Sequence, residues 1–221
     1  HTKVYEVPQV SRLSKGQAIV NILQISPEEK VTAMITLTIK DTEQYKYVLF
    51  ATTKGLVKRS ELKLYSKVRK TGILALKLKG DDRLSWVKFT SGQDNVFQVT
   101  AKGQSILYHE TDIRPMGRTA AGVRGIYLKK DDYVVATDIL APGMEEKTDV
   151  LVVLEKGFGK RTTLKSFKIQ LRGGMGIRVA NVTERTGKIV GMRLVMGEDL
   201  DLILASFKGQ IIRMALSSVK K

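Results

Sequence analysis

Along most of the chain apolar and polar residues alternate with a period of two, in runs rich in valine, isoleucine and leucine. That pattern predicts short strands separated by polar turns. Apolar residues at helical spacing persist nowhere for more than two turns, so helix has almost no place in the expected fold. One segment, Arg59 to Tyr65, reads equally as a single helical turn, a loop or an edge strand.

The strands recur in a fixed order. An apolar strand, a Lys-Gly turn and a second strand appear as Val48-Leu-Phe-Ala-Thr-Thr-Lys54-Gly55-Leu-Val-Lys58-Arg59, Val96-Phe-Gln-Val-Thr-Ala-Lys102-Gly103-Gln-Ser-Ile-Leu, Val150-Leu-Val-Val-Leu-Glu-Lys156-Gly157-Phe-Gly-Lys160-Arg161 and Leu202-Ile-Leu-Ala-Ser-Phe-Lys208-Gly209-Gln-Ile-Ile-Arg213. The Lys-Gly pairs lie 48, 54 and 52 residues apart. A basic connection with a second glycine follows the first three turns, at Gly72, Gly122 and Gly176, each leading into an apolar strand; Ser14-Lys15-Gly16 shows the same phase. A charged turn, as at Asp81-Asp82 and Asp131-Asp132, then opens one more strand.

Four short strands in about 50 residues is the period of a propeller blade. The expected fold is all-β, a propeller-like repeat of four-stranded blades. A partial blade would occupy 1–42, whole blades about 43–92, 93–144 and 145–197, and a second partial blade 198–221. Residues 1–10 match the strand after a Lys-Gly turn, and Val219-Lys-Lys stops before a glycine connection, so the chain reads as a segment of a longer protein. Its two incomplete ends would either lie open or donate strands to close a ring.

Charge changes the picture from architecture to partner. Against 22 Asp and Glu stand 38 Lys and Arg, a net +16, which favours a polyanion such as nucleic acid. No run approaches the roughly 20 apolar residues that span a bilayer, and His1 to Val10 lacks the apolar centre of a signal peptide. Zero cysteines excludes disulfides and thiolate metal sites and fits a cytoplasmic protein.

The cations recur at matching phases, in turns and connections that suit phosphate contact. In the hairpins the candidates are Lys58, Arg59, Lys160, Arg161 and Arg213. In the connections they are Arg12, Lys15, Lys67, Arg69, Lys70, Arg114, Arg118, Arg124, Lys165, Lys168, Arg172 and Arg178. The blade holding Lys102 carries Gln-Ser-Ile-Leu where the others have a basic pair, so its contacts would run mainly through Arg114 and Arg118. Nothing resembles a helix or ribbon shaped for the major groove, so binding should tolerate most sequences.

Catalytic constellations are missing from the chain. The glycine-rich stretches at 117–125 and 172–176 lack a Gly-Lys-Ser/Thr ending and a following helix, so they read as loops. His1 and His109 are not spaced as metal ligands, and His109 beside Glu110 reads as a surface strand residue. The paired aspartates read as hairpin turns, and Trp86 and Phe89 as core.

The strings Lys3-Val-Tyr-Glu-Val-Pro, Ile19-Val-Asn-Ile-Leu, Gly122-Val-Arg-Gly-Ile, Gly157-Phe-Gly-Lys-Arg-Thr and Val182-Thr-Glu-Arg-Thr-Gly-Lys-Ile-Val-Gly closely resemble the C-terminal domain of the bacterial DNA gyrase A protein. The resemblance implies a β-pinwheel, a disc of blades that exchange strands, with a basic outer rim over which duplex DNA bends. It implies a non-catalytic part of a type IIA topoisomerase, nucleoid-associated in the bacterial cytoplasm. Its partners would be the catalytic core of the same polypeptide and the enzyme's separate ATPase polypeptide. ATP and Mg²⁺ would serve the parent enzyme elsewhere; no cofactor is expected in this chain.

Strongly wrapping members of that family carry a Gln-Arg-Arg-Gly-Gly-Lys-Gly box in their first blade. The nearest match here is Gln170-Leu171-Arg172-Gly173-Gly174-Met175-Gly176, in a later blade and with Leu and Met at two basic positions. The related domain of topoisomerase IV, with weak wrapping and a decatenating or relaxing parent, is the alternative within the resemblance. A protein-interaction propeller is the alternative outside it.

Overall fold

The computed structural model describes residues 3–26, 28–68 and 71–221. The elements in chain order are helix α1 (Ile39–Gln44) and strands β1 (Tyr47–Thr52), β2 (Leu56–Glu61), β3 (Leu84–Thr90), β4 (Asn95–Thr100), β5 (Gln104–His109), β6 (Val123–Arg124), β7 (Val134–Leu140), β8 (Thr148–Leu154), β9 (Gly159–Thr163), β10 (Ile177–Arg178), β11 (Ile189–Met196), β12 (Asp201–Ala205) and β13 (Ile211–Ala215). They form sheets ordered β3-β1-β2-β6, β10-β5-β4-β7, β11-β8-β9 and β12-β13.

Each sheet is built on a Lys-Gly hairpin. Gly55, Gly103, Gly157 and Gly209 all have φ between 77° and 89°, the left-handed region open to glycine. The aspartate turns clasp these hairpins. Asp82 accepts from the Lys54 amide at 2.9 Å and from the Thr53 hydroxyl, and Asp132 accepts from the Lys102 amide at 2.9 Å. The expected turn role of both aspartates is thus met by specific bonds.

The fourth strand of a sheet comes from the following repeat. Val123 and Arg124 pair with Val57 and Leu56, while Ile177 and Arg178 pair with Ser105 and Gln104. Further backbone bonds repeat around each junction: Gly125 N to Gly55 O and Val179 N to Gly103 O, then Met116 N to Arg59 O and Gln170 N to Leu107 O. Such exchange brings two backbones into contact at the connection glycines. A Cβ on Gly122 would lie 2.5 Å from the Val57 carbonyl oxygen, and one on Gly176 would lie 2.0 Å from that of Ser105.

The sheets stack face to face, and strand alternation divides each between two cores. On β1, Val48 and Phe50 join a cluster with Tyr65 and Leu76, whereas Leu49 and Ala51 face Val96, Ile106, Tyr108 and Ile126 of the next blade. On β4, Val96 belongs to that second core, while Phe97 and Val99 meet Val150, Val152, Leu164, Phe167 and Ile189. Phe97 meets Phe167 edge-on at 5.2 Å between centroids. Each large side chain buried in this way contributes about 1.5–3 kcal/mol. The layers therefore bind blade to blade. Trp86 and Phe89 are partly buried against these clusters.

Several local expectations are corrected. Residues 3–46 contain no strand among those described; Ile19–Asn21 forms a 3₁₀ turn, and Ile39–Gln44 is a helix capped by Thr38 and Asp41. The apolar run after Gly72 is also not a strand. The reason is visible at the glycines: a donated strand needs an acceptor edge, and the Cβ positions of Gly16 and Gly72 have nothing within 4 Å. Arg59 to Tyr65 resolves into the end of β2 and a 3₁₀ turn at Leu62–Tyr65, repeated at Glu110–Asp112, Leu164–Ser166 and Leu216–Ser218.

Gly176→Ala should lower unfolding free energy by about 2–4 kcal/mol, because its Cβ meets a carbonyl that belongs to the exchanged ladder. Gly117→Ala, with nothing within 4 Å and no positive φ, should stay within about 0.5 kcal/mol of the parent. Urea denaturation of the two variants separates these outcomes; equal losses would contradict the close approach.

Candidate nucleic-acid interface

The second strand of each hairpin and the connection after it carry the expected phosphate ligands, and the structure sorts these into two groups. Arg12, Lys15, Lys67, Arg114, Arg118, Arg124, Lys160, Lys165, Lys168, Arg178 and Arg213 are exposed. Of these, Lys165 pairs with Glu146 at 2.7 Å and Arg213 with Asp201. Arg69 and Lys70 lie outside the described residues.

Lys58, Arg59 and Arg161 are withdrawn from the contact set, because stacked blades cover both faces of their strands. Lys58, fully buried, donates to the carbonyl oxygens of Ala75 and Arg118, both at 2.6 Å, and so ties the first connection to the second. Its ammonium also lies 5.4 Å from the centre of the Phe50 ring. Desolvation lowers its pKa to about 8. Arg59 reaches across to the next blade: its guanidinium donates to Glu110 there and to Gly92 O at the boundary, each at 3.5 Å, and stacks 4.6 Å from the ring centre of Tyr47 on its own blade. Arg161 repeats this reach towards Asp149, Glu198 and the Val219 carbonyl.

Glu110 completes the first of these ties. Its phase is occupied by Leu62, Leu164 and Leu216 in the other repeats. Here a buried carboxylate accepts from the amides of Gly92 and Asp94, both at 2.8 Å, and from the Thr90 hydroxyl at 2.6 Å. The sequence pattern marks Glu110 only as the neighbour of a surface His109. An acid at a phase that otherwise holds leucine is the signal that points to its buried role.

The degenerate box is a latch between connections. Arg172 is half-buried, its Nε donating to Asp112 O at 2.9 Å and its NH1 to Arg124 O at 3.0 Å. Gly173 N bonds Gly125 O, and Gly174 O accepts from Tyr127 N. Gln170 N bonds Leu107 O, and Gly176 makes the close approach to Ser105. The two positions that lack basic residues are the outward ones: Leu171 is 80% exposed and Met175 57%.

The exposed cations therefore ride on connections whose spacing is held from within. Lys67 and Arg118, with Thr71 and Thr119, line a cleft of about 450 Å³ between the first and second connections. Arg124 sits at the exchanged strand, 5.5 Å over the Tyr127 ring. Such an arrangement offers many separate positive contacts; among the described residues no group of three or more His, Cys, Asp and Glu is placed to hold a metal ion.

Stacked hairpin blades, exchanged strands and cation-bearing connections define a propeller-like module with a basic surface. The family model described as the DNA gyrase C-terminal domain, beta-propeller, matches residues 1–38, 46–91, 94–141 and 149–196, and the chain belongs to that family. The DNA gyrase A protein of Staphylococcus epidermidis is 41% identical over 220 residues, and that of Staphylococcus aureus 39%; the match covers 99% of this chain and 24% of either relative. The chain thus spans about a quarter of the length of these relatives. Among solved structures, the C-terminal domain of DNA topoisomerase IV superposes with a TM-score of 0.85 at 28% identity, covering 97% of this chain and 65% of that one. A gyrase A C-terminal domain superposes at 0.80 with 24% identity, covering 94% and 68%.

Two outcomes test the internal ties. Glu110→Leu should cost about 3–5 kcal/mol by leaving Arg59 uncompensated and two amides unpaired, measured by urea unfolding. For Lys58, the folded pKa lies below the unfolded value of 10.5, so between about pH 8 and 10.5 the unfolded chain binds more protons. The stability of the parent relative to Lys58→Met should rise with pH across that window, read from urea midpoints. A flat difference would contradict a Lys58 whose pKa is lowered by burial.

Proposed function

We propose that this domain binds duplex DNA on the exposed cations of its connections and bends it, presenting the duplex to the catalytic core of a type IIA topoisomerase. The observation that carries the reading is the set Arg12, Lys15, Lys67, Arg114, Arg118, Arg124, Lys160, Lys168 and Arg178: all are exposed and make no ion pair among the described residues, and within the set Arg12 and Arg118, Arg114 and Lys168, and Arg124 and Arg178 stand at equivalent repeat positions. A row of cations spaced by rigid blades suits a curved backbone better than a straight one. Bending a 20–30 base-pair segment by 40–90° costs roughly 1–6 kcal/mol, which phosphate contacts offset.

In this reading the chain contributes no catalytic residue. Strand cleavage, ATP and Mg²⁺ belong to other parts of the parent enzyme, and the partners are duplex DNA, that core and a separate ATPase polypeptide in the bacterial cytoplasm. The family membership and the gyrase A relatives support a supercoiling parent. The outward, uncharged Leu171 and Met175 favour the second reading, a weakly wrapping module of a relaxing or decatenating enzyme.

Titrating duplex affinity against salt tests the DNA reading. Log K should fall by about 0.9 per phosphate contacted for each decade of salt. Replacing Arg114, Arg118, Lys160 and Lys168 together by glutamine should weaken binding to unrelated sequences alike and shallow the slope. A salt-independent affinity, or loss confined to one sequence, would refute phosphate-led binding.

A further inference from the structure

The junction between the second and third blades differs in chemistry from the one before it. Lys102, Gln104, Lys129, Arg178 and Asn181 line a cleft of about 200 Å³, with no carboxylate among the described lining residues. It is assembled from three pieces of chain: the Lys-Gly turn of the second blade, its aspartate turn and the strand donated by the third. Arg178 is held there by pairing with Gln104.

At the preceding junction the same phases read Lys54, Leu56, Lys79, Arg124 and Tyr127. There Lys54 is paired with Asp81. At the later junction Gln replaces Leu, Asn replaces Tyr, and Lys102 turns its ammonium to the carbonyl of Lys130 at 2.6 Å. Asp132 is turned inward onto the amides of Lys102 and Tyr133, and Asp131, at φ 57°, makes no ion pair among the described residues.

We infer that this cleft is a phosphate site, in which Lys102, Lys129 and Arg178 hold one backbone phosphate of the duplex while Gln104 and Asn181 supply amide donors. The inference rests on the DNA reading above and gives the second blade a contact of its own, where the sequence pointed only to Arg114 and Arg118.

Two variants test it from opposite directions. Lys102→Gln with Arg178→Gln removes charge, whereas Gln104→Leu with Asn181→Tyr fills the cleft with the residues of the sister junction and leaves the net charge unchanged. Each should weaken binding of a 40-base-pair duplex about eightfold at 0.1 M salt and reduce the salt slope by about 0.9, the value of one phosphate contact. Lys54→Gln, whose charge is already paired, should change affinity less than about twofold. Thermal melts within a few degrees of the parent establish that each variant is folded, and either double variant alone suffices if the other is not. Duplex binding by the parent with both variants unaltered would overturn the cleft and leave the DNA reading standing; a parent that does not bind duplex would overturn both. Calorimetric binding of inorganic pyrophosphate that the variants abolish, with duplex affinity untouched, would assign the cleft to a free phosphate ligand instead.

Discussion

The structure depends on one backbone event repeated along the chain, the donation of a short strand to the sheet of the preceding repeat. Two residues suffice, Val123–Arg124 on β2 and Ile177–Arg178 on β5, because the ladder is extended by bonds such as Gly125 N to Gly55 O and Val179 N to Gly103 O. A two-residue strand cannot hold a sheet by itself. What fixes it is the glycine that lets backbone meet backbone, at 122 and at 176, together with the apolar layer that both blades share. No blade has a complete core alone, so neighbouring repeats order one another.

The proposed function rests on the same arrangement. Because the exchanged strand and the connection before it are one continuous segment, the exposed Arg114, Arg118, Arg124 and Arg178 are positioned by ladders rather than by loops of free length. Buried charges refine the spacing. Lys58 joins two connections through their carbonyls, and Arg59 and Arg161 extend from one blade into the next. Interior cations set distances, and the exterior cations are those proposed to meet DNA. The box around Arg172 shows the two uses within a few residues: its arginine and glycines lock connections together, and its outward positions are apolar.

Repeat length, hairpins and strand order are legible in the sequence because each rests on local chemistry: glycine at a positive-φ turn, alternation along a strand, aspartate at a turn. The division of the basic residues is not. Lys58 and Arg59 sit at adjacent strand positions, so alternation alone would turn one of them to water; stacking on both faces buries both, and that follows from tertiary packing alone. The described residues between 3 and 46 fail as strands for a related reason, since pattern specifies a donor but not whether an acceptor edge is present. Glu110 and the cleft at Lys102 escape a pattern-based reading because both arise from contrast between repeats, Leu to Glu in one and Leu to Gln with Tyr to Asn in the other. Comparing repeats position by position exposes such sites better than reading each repeat for its shared pattern.

We propose that rigidly spaced exterior cations curve a duplex. This is tested most directly by ligase-mediated ring closure of a DNA fragment about 150 base pairs long, near one persistence length, with and without saturating protein. Closure should be faster when the protein is bound. Equal closure rates on a fragment shown to be saturated would contradict it, and would leave a domain that holds DNA without bending it.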